Sequence, residues 1–205
     1  MDLEAEIKRL SAQVAELSRK AQAAEDYIAI SNLQRCYGYY VDKARWDDAA
    51  DLFARDCTLE INGRGVYVGH DRVRQYMYRF GPPDYGMLFN HMQLQPVIHV
   101  DADGLTAKAR WRAVIQVGLL GKEAKWGEGT YENTYVKEDG VWKIKSLHYY
   151  QTYYIDFYSG WDKGGLPLVL VYDDFPPDRP PSEDYKVFPE FSVPPFHYKI
   201  PVSGR

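Results

Sequence analysis

The sequence is poor in the residues that define several large protein classes. It has only Cys36 and Cys57 among 205 residues, without CxxC spacing, which argues against a disulfide framework or a zinc site. No basic run accompanies the net charge of -4, so a nucleic-acid partner is not expected. No apolar stretch approaches the ~20 residues that span a bilayer. The acidic, amphipathic start MDLEAEIKRL does not resemble a secretory signal. These absences together predict a cytoplasmic protein without membrane contact.

Aromatic residues, by contrast, are abundant. Eighteen tyrosines and five tryptophans exceed what a plain core requires. Tyrosine and tryptophan combine an apolar body with a polar tip, which suits a pocket for an aromatic or polycyclic ligand. Core packing together with a subunit interface is the alternative, and we expect it to explain most of these aromatic residues.

Helical patterns occupy the first quarter of the chain. An apolar stripe in steps of four and three predicts a separate amphipathic helix within residues 1–24, which either contacts a neighbouring subunit or covers the fold. Its members are Leu3, Ile7, Leu10, Val14 and Leu17. A second helix is predicted from Glu25 to Val41, and a short one from about Trp46 to Phe53.

Strand patterns dominate the next hundred residues. Cys57–Ile61 and Val66–Val68 flank Asn62-Gly63, a hairpin pattern. A helix from Arg72 to Phe80 follows, with Asp71 as its predicted N-cap. Four strands complete the pattern, at about 89–100, 105–117, 125–137 and 141–150. Helices followed by antiparallel strands are typical of the α+β class, here predicted as one domain over residues 25–160 with a cone-shaped sheet wrapped around a long helix.

The last segment, residues 161–205, has a different composition. Its prolines, in PPDRPP, VFPEF and VPPF, exclude helix and central strand. Its aromatic content is too high for a solvated linker. We therefore expect an extended arm that packs on this subunit or on a neighbour.

Three stretches carry a family resemblance. The chain resembles the SnoaL-like branch of the nuclear-transport-factor-2-like superfamily over roughly Glu25 to Tyr154. The three stretches are YYVDKARWDDAADLFARDCTLEI, FNH and GEGTYENTYVKEDGVWKI. The last stretch is similar to hexachlorocyclohexane dehydrochlorinase, and the overall arrangement to bile acid 7α-dehydratase and scytalone dehydratase. The resemblance implies elimination chemistry without metal or organic cofactor, and the diarylpropane lyases of this superfamily add loss of formaldehyde.

The resemblance also implies the catalytic residues. An Asp after the long helix and a His at the start of a strand correspond to Asp42 and His91, and the family's helix tyrosine corresponds to Tyr37. An imidazole can accept a proton near neutrality, and a carboxylate on its other nitrogen fixes the tautomer and stabilises the imidazolium. Alternatively, His91 is a hydrogen-bonded core residue and Asp42 a helix-terminal cap. Ile115 and Gln151 replace an Asp and an Arg of the bile acid enzyme, which argues against that substrate.

Further residues are predicted to bind the substrate from the pocket wall. They are Tyr40, Trp111, Tyr131, Asn133 and His148. Alternation places Tyr131, Asn133 and Tyr135 on one face of the third strand, and Trp142, Ile144, Ser146 and His148 on one face of the fourth. No HxH or HxxxH spacing occurs, so no metal ligands are predicted.

The leading function is a cofactor-independent lyase that eliminates water, halide or formaldehyde from a small apolar, aromatic or polycyclic molecule. A polyketide cyclase or isomerase is the enzymatic alternative, because it also needs one base and an enol stabiliser. A non-catalytic ligand-binding module and the small subunit of a ring-hydroxylating dioxygenase are the others. The apolar surface of the sheet's outer face and of the aromatic tail further predicts a homo-oligomer, a dimer or trimer.

Overall fold

One long helix opens the fold. The computed structural model describes residues 3–167 and 171–205, so positions 1, 2 and 168–170 of the predicted terminal segments lie outside the described residues. Helix α1 runs without interruption over Leu3–Asp42, 40 residues. The prediction of two separate helices was therefore wrong. The physical reason is local: residues 3–37 contain neither Gly nor Pro, and Ala21, Ala23 and Ala24 join the two halves with strong helix formers.

Among the described residues, two short α-helices and six strands follow α1. Their bounds are α2 Trp46–Asp51, β1 Phe53–Ile61, β2 Val66–Val68, α3 His70–Tyr78, β3 Met87–Val100, β4 Thr106–Leu119, β5 Glu123–Glu138 and β6 Val141–Asp156. Gly69 precedes α3 and no side chain caps it, so the predicted N-cap Asp71 instead lies in the first turn. No helix among residues 3–167 and 171–205 has the length and apolar character needed to cross a membrane.

The strands form one curved, open sheet in the order β2-β1-β6-β5-β4-β3. The α+β prediction is confirmed, with one refinement: β1 and β6 pair in parallel, so the sheet is mixed. The β3–β4, β4–β5 and β5–β6 ladders are antiparallel, as expected. At the β5–β6 turn, Asp139 and Gly140 both adopt positive φ, of 50° and 80°, which suits a two-residue hairpin.

A bulge in β6 reverses the faces that simple alternation predicts. Thr134 pairs with Ser146, but Tyr135 pairs with Ile144, so Lys145 is an extra residue. Beyond the bulge, Leu147 and Tyr149 continue the inner face that Trp142 and Ile144 begin, and they are buried. His148 therefore lies on the outer face, which corrects its predicted position.

The second half of α1 packs on the inner face of the sheet. Its buried residues recur at helical spacing and are Asp26, Ile30, Ser31, Gln34, Tyr37, Gly38 and Val41. Alternation on β4 is confirmed, since Ala107, Ala109, Trp111, Ala113 and Ile115 are all buried against this side. The hydrophobic core thus lies between α1 and the concave face of the sheet.

The C-terminal segment packs on its own subunit. The Val66 N–H donates to the Arg179 carbonyl at 3.0 Å, and the Phe175 ring stacks on Tyr67 at 5.1 Å. Further along, the backbone N–H of Ser182 donates to Glu60 at 2.8 Å. The arm therefore covers the outer face of β1 and β6, where it also encloses His148.

Candidate active site

A cavity of about 690 Å³ opens between α1, α3 and the concave face of the sheet. Its inner wall is rich in phenol groups and apolar side chains, and its rim is formed by the 81–84 loop and by Leu166 and Pro167. The inner lining includes Tyr37, Val41, Ile61, Asn62, Arg64, Tyr76, Met77, Phe80, Phe89, His91, Ile115, Val117, Tyr131, Tyr149, Gln151 and Tyr154. A volume of this size accommodates a bicyclic or larger organic molecule.

The predicted pair Asp42 and His91 meets at one side of this cavity. The Asp42 Oδ1 accepts a hydrogen bond of 2.6 Å from the backbone N–H of His91 and lies 3.3 Å from the Nδ1 of its ring. Both side chains are largely enclosed, with exposed fractions of 14% for His91 and 12% for Asp42. The ring lines the cavity and stacks on Phe89. Because Nδ1 is engaged by the carboxylate, Nε2 is the nitrogen left for a ligand.

A close approach of α1 to β3 positions the pair. Asp42 is the last residue of α1, and Gly38 lies one turn earlier on the same face. A Cβ at position 38 would lie 2.8 Å from the His91 carbonyl oxygen and 2.9 Å from Cγ of Gln93. One turn further back, Gln34 donates to Gln93 at 2.9 Å. Gln34, Gly38 and Asp42 thus form one stripe of α1 that fits along β3.

Tyrosines continue the wall from this pair. The Tyr37 and Tyr131 rings meet edge to face at 6.3 Å, and Tyr131 contacts Tyr149 at 4.9 Å. Burial raises the pKa of Tyr37 well above that of an ordinary phenol, and the neighbouring Tyr131 adds to the shift. Burial likewise raises the pKa of Tyr131 and Tyr149. These phenols therefore stay protonated and can donate hydrogen bonds to a ligand.

Buried hydrogen-bond donors without a partner among the described residues lie further along the wall, and their grouping there was not predicted from the sequence. The buried atoms that lack a partner among the described residues are Arg64 Nε, Tyr149 Oη and Gln151 Nε2, and all three belong to residues that line the cavity. Tyr149 pairs with Ile61 across the β1–β6 ladder, close in sequence to Arg64. No local pattern could have revealed them, because β1 and β6 are about ninety residues apart.

The predicted substrate-binding residues divide between the cavity and other places. Tyr131 lies in the cavity wall, where the sequence placed it, and its role in binding a substrate stays a prediction. Trp111 and Asn133 do not: both are fully buried below it, where Trp111 donates to Tyr135 at 3.0 Å and Asn133 donates to Gln34 at 3.0 Å. Tyr40 also lies outside the cavity lining, beside the Arg45 guanidinium.

His148 lies outside the cavity as well, beneath the arm. Its Nε2 contacts the Tyr185 hydroxyl, and its Nδ1 lies 3.3 Å from the Tyr150 hydroxyl. Within the described ranges, no three His, Cys, Asp or Glu side chains gather closely enough to hold a metal ion.

Comparison with known proteins establishes the family. The SnoaL-like domain pattern matches residues 22–148, and the chain belongs to this family. No curated protein matches the chain significantly. A solved structure assigned as a scytalone dehydratase, from Novosphingobium aromaticivorans, superposes with a TM-score of 0.62 at 18% identity, covering 75% of this chain and 97% of that one.

Two further structures share the fold. The hexachlorocyclohexane dehydrochlorinase LinA-type3 from Novosphingobium barchaimii gives a TM-score of 0.60 at 19% identity, with 67% of this chain and 94% of that one covered. A Mycobacterium tuberculosis protein of unknown function gives 0.55 at 22% identity, with 62% and 76% covered. At these identities the likeness concerns the fold, and the chemistry must be argued from the site.

Proposed function

We propose that this protein is a cofactor-independent lyase that uses His91 as a general base and Asp42 as its positioning partner. The substrate is a small, largely apolar molecule, aromatic or polycyclic, and the reaction is loss of water, halide or formaldehyde. The observation that carries the proposal is the contact between Asp42 and the His91 ring at the wall of a tyrosine-lined cavity. We also propose a cytoplasmic location, as the composition predicts.

The geometry supports a simple elimination. Asp42 holds the proton of the His91 ring on Nδ1, which leaves the lone pair of Nε2 free to take a proton from a substrate carbon. The electron pair of that C–H bond becomes a C=C bond, and the neighbouring bond to hydroxyl or halide breaks, with its electron pair leaving on the departing group. The Asp42 carboxylate stabilises the imidazolium formed, which later returns its proton to the leaving hydroxide or to solvent. In a loss of formaldehyde, His91 takes the proton of a hydroxymethyl O–H instead. A C=O bond forms, the C–C bond breaks, and the carbon that keeps the electron pair of that bond takes the proton from the imidazolium or from solvent.

The tyrosine wall supplies the second requirement of this chemistry, a group that stabilises developing negative charge. Tyr37 is one and a half turns from Asp42 on α1 and lines the same cavity. Its raised pKa keeps the hydroxyl protonated, so it can donate to a leaving oxygen or to an enolate. An apolar, largely water-excluded surrounding strengthens such a bond.

Turnover of a substrate panel tests the proposal. The panel should contain aryl diols, chlorinated alicyclic compounds and hydroxymethyl diaryl compounds, with products followed by mass spectrometry. We expect at least one elimination that persists in EDTA and falls by ~10²–10⁴-fold in His91→Ala. His99→Ala is the matched control, because His99 is an exposed residue of the same strand. Parent-level activity in His91→Ala would refute the assignment, and ligand binding without turnover would favour the binding module.

A further inference from the structure

The cavity contains a cluster of donors whose chemistry points to a particular ligand. It consists of Arg64, Tyr149 and Gln151 and is called the donor cluster. Tyr149 and Gln151 are 2% and 4% exposed, yet the Tyr149 hydroxyl and the Gln151 Nε2 have no partner among the described residues. Leaving a buried polar group unpaired costs ~1–3 kcal/mol, so such a cluster in one cavity calls for a ligand.

The hydrogen bonds of Asn62 fix which atom of Gln151 is free. The backbone N–H of Gln151 donates to Asn62 Oδ1 at 2.6 Å, so that oxygen is the acceptor. The other terminal atom of Asn62 is therefore the amide nitrogen, and it donates to Gln151 Oε1 at 3.1 Å. The atom of Gln151 left without a partner is consequently its NH₂ group, which can only donate.

Arg64 adds a positive charge to this end of the cavity. Its guanidinium contacts the Tyr76 hydroxyl and lies over the Tyr172 ring at 5.1 Å, so its near neighbours are phenols. Among the residues the structure describes, no carboxylate forms an ion pair with it, whereas most other arginines of the fold have an acidic partner. An enclosed cation without a counter-charge is costly, and an anionic ligand removes that cost.

We propose that the donor cluster binds the oxyanion of an organic substrate, such as a carboxylate, while His91 acts on the carbon skeleton at the β3 side of the cavity. The Arg64 guanidinium and the Gln151 NH₂ group can only donate hydrogen bonds. The protonated Tyr149 hydroxyl is the third donor group. Binding of an oxyanion is inferred from the donor cluster alone. Only the identification of that oxyanion as part of a substrate rests on the proposed function. It narrows the substrate class from apolar molecules in general to aromatic or polycyclic acids.

Binding of two matched probes tests the proposal without turnover. 2-Naphthoate and 2-naphthamide have the same ring system, but only the first is an anion at neutral pH. By isothermal titration calorimetry we expect the parent to bind naphthoate about 10- to 100-fold more tightly than naphthamide. Arg64→Met should lose that preference and still bind naphthamide.

Two more variants keep this test decisive. Gln151→Met removes the free NH₂ group but keeps the Arg64 charge, so we expect a smaller loss of the preference for naphthoate. This variant tests the proposal even if Arg64→Met fails to fold. His91→Ala should keep the full preference for naphthoate, which separates a failure of the lyase proposal from a failure of this one. Equal affinity of the parent for both probes, no binding of naphthoate at millimolar concentration, or an unchanged preference in Arg64→Met would overturn it.

A second, independent observation concerns the first half of α1, which extends away from the domain. The apolar stripe is largely exposed: Leu3, Ile7, Leu10, Val14 and Leu17 have exposed fractions between 46% and 73%. It therefore does not cover the fold, which excludes one of the two predicted roles. The same spacing continues through the exposed Ala21 and Ala24 to Ile28, which is 57% exposed.

The residue types in this stripe specify a partner. In heptad notation the a positions are Ile7, Val14, Ala21 and Ile28, and the d positions are Leu3, Leu10, Leu17 and Ala24. β-branched residues at a with leucine at d favour two parallel strands. In that arrangement Lys20, at g, faces Glu25 at the following e position of the second helix, an attractive pair. We propose that two copies of this chain dimerise through a parallel coiled coil over residues 3–28.

The oligomeric state of the full chain tests this proposal. Light scattering should give a dimer for the parent and a monomer for the Leu10→Glu, Leu17→Glu double variant. Ala12→Glu changes the opposite side of the helix and should leave the dimer intact. Lys20→Glu should weaken the dimer, and adding Glu25→Lys should restore it. A monomeric or trimeric parent, or a dimer insensitive to the stripe variants, would overturn the proposal.

Discussion

Asp42 makes two contacts through one oxygen atom. Its Oδ1 accepts from the backbone N–H of His91 and also faces the Nδ1 of the ring. The first contact ties the end of α1 to β3, and the second orients the imidazole. A role as a helix cap explains neither contact, because α2 has no side-chain cap and both contacts of Asp42 are to His91 on β3. The position of the ring at the cavity wall gives the second contact a chemical use.

The hydroxyl of Tyr37 allows a prediction at the residue scale. If it stabilises a leaving oxygen or an enolate, Tyr37→Phe should lower kcat by ~10-fold or more, and less than His91→Ala does. The ring is kept, so the packing against Phe53 and Tyr131 should survive. Steady-state kinetics on a substrate found in the panel checks this, with Tyr40→Phe as the control from outside the cavity. An unchanged kcat would limit Tyr37 to a packing role.

The residues of the site were predictable to different degrees. Asp42, His91 and Tyr37 were accessible because the family resemblance links positions that local patterns cannot connect. Arg64 was not predicted, and Gln151 was noted only as the replacement of an Arg of the bile acid enzyme. Their unpaired donor atoms appear only when β1 and β6 are side by side. Trp111 and Asn133 were placed on the correct face, but the sequence does not distinguish the buried core on that face from the cavity beside it.

At the scale of elements, the contact between α1 and β3 depends on Gly38. In an ordinary helix, Gly→Ala stabilises by roughly 0.5–1 kcal/mol. Here the added Cβ would meet the His91 carbonyl oxygen at 2.8 Å, so Gly38→Ala should destabilise the protein and displace Asp42 from His91. Urea unfolding and kcat together check the prediction. A more stable variant with full activity would show that α1 can shift without consequence.

A buried carboxylate connects α1 to β5 and β6 near the turn that joins these two strands. Asp26 is 3% exposed and accepts from Lys137 at 2.7 Å and from Trp142 at 2.8 Å. Burial opposes its ionisation, but the hydrogen bonds from Lys137 and Trp142 prevail and lower the pKa of the Asp26 carboxyl. The stabilisation is therefore present above the unfolded-state pKa, near 3.8, and is lost as the pH falls through the lower folded value.

Asp26→Asn is the corresponding test. It leaves Lys137 without its counter-charge and should lower the free energy of unfolding by roughly 3 kcal/mol at pH 7. The difference between parent and variant should shrink as the pH falls below 4, because the parent then loses the same interaction. Urea unfolding across this pH range measures it, with the exposed Glu190→Gln as control. A difference that stays constant with pH would contradict the assignment.

Element boundaries show where local patterns suffice. The β4 alternation and the Asp139-Gly140 turn were predicted well, since both depend on neighbouring residues alone. The bulge at Lys145 was not, because nothing in its sequence distinguishes it from a regular strand, and one extra residue exchanges the two faces. The two halves of α1 present their apolar residues on different faces, a pattern that resembles two helices in the sequence although the helix is continuous.

At the scale of the whole molecule, the cavity is assembled from parts distant in sequence. Asp42 ends the first helix, His91 lies on one edge strand of the sheet, and the donor cluster comes from the opposite region around β1 and β6. The curvature of the sheet brings these parts around one space. The fold class followed from the order of elements, whereas the contents of the cavity required the three-dimensional arrangement.

In the proposed mechanism Asp42 and His91 act as one catalytic unit, and the kinetics of the two single variants and the double variant measure whether they do. His91→Ala should lower kcat by ~10²–10⁴-fold, and Asp42→Asn, which can keep the bond to the His91 backbone but loses the charge, should also impair turnover. If the two residues form one unit, the double variant loses about as much as His91→Ala alone. Losses that multiply in the double variant would show two independent residues and contradict the claim.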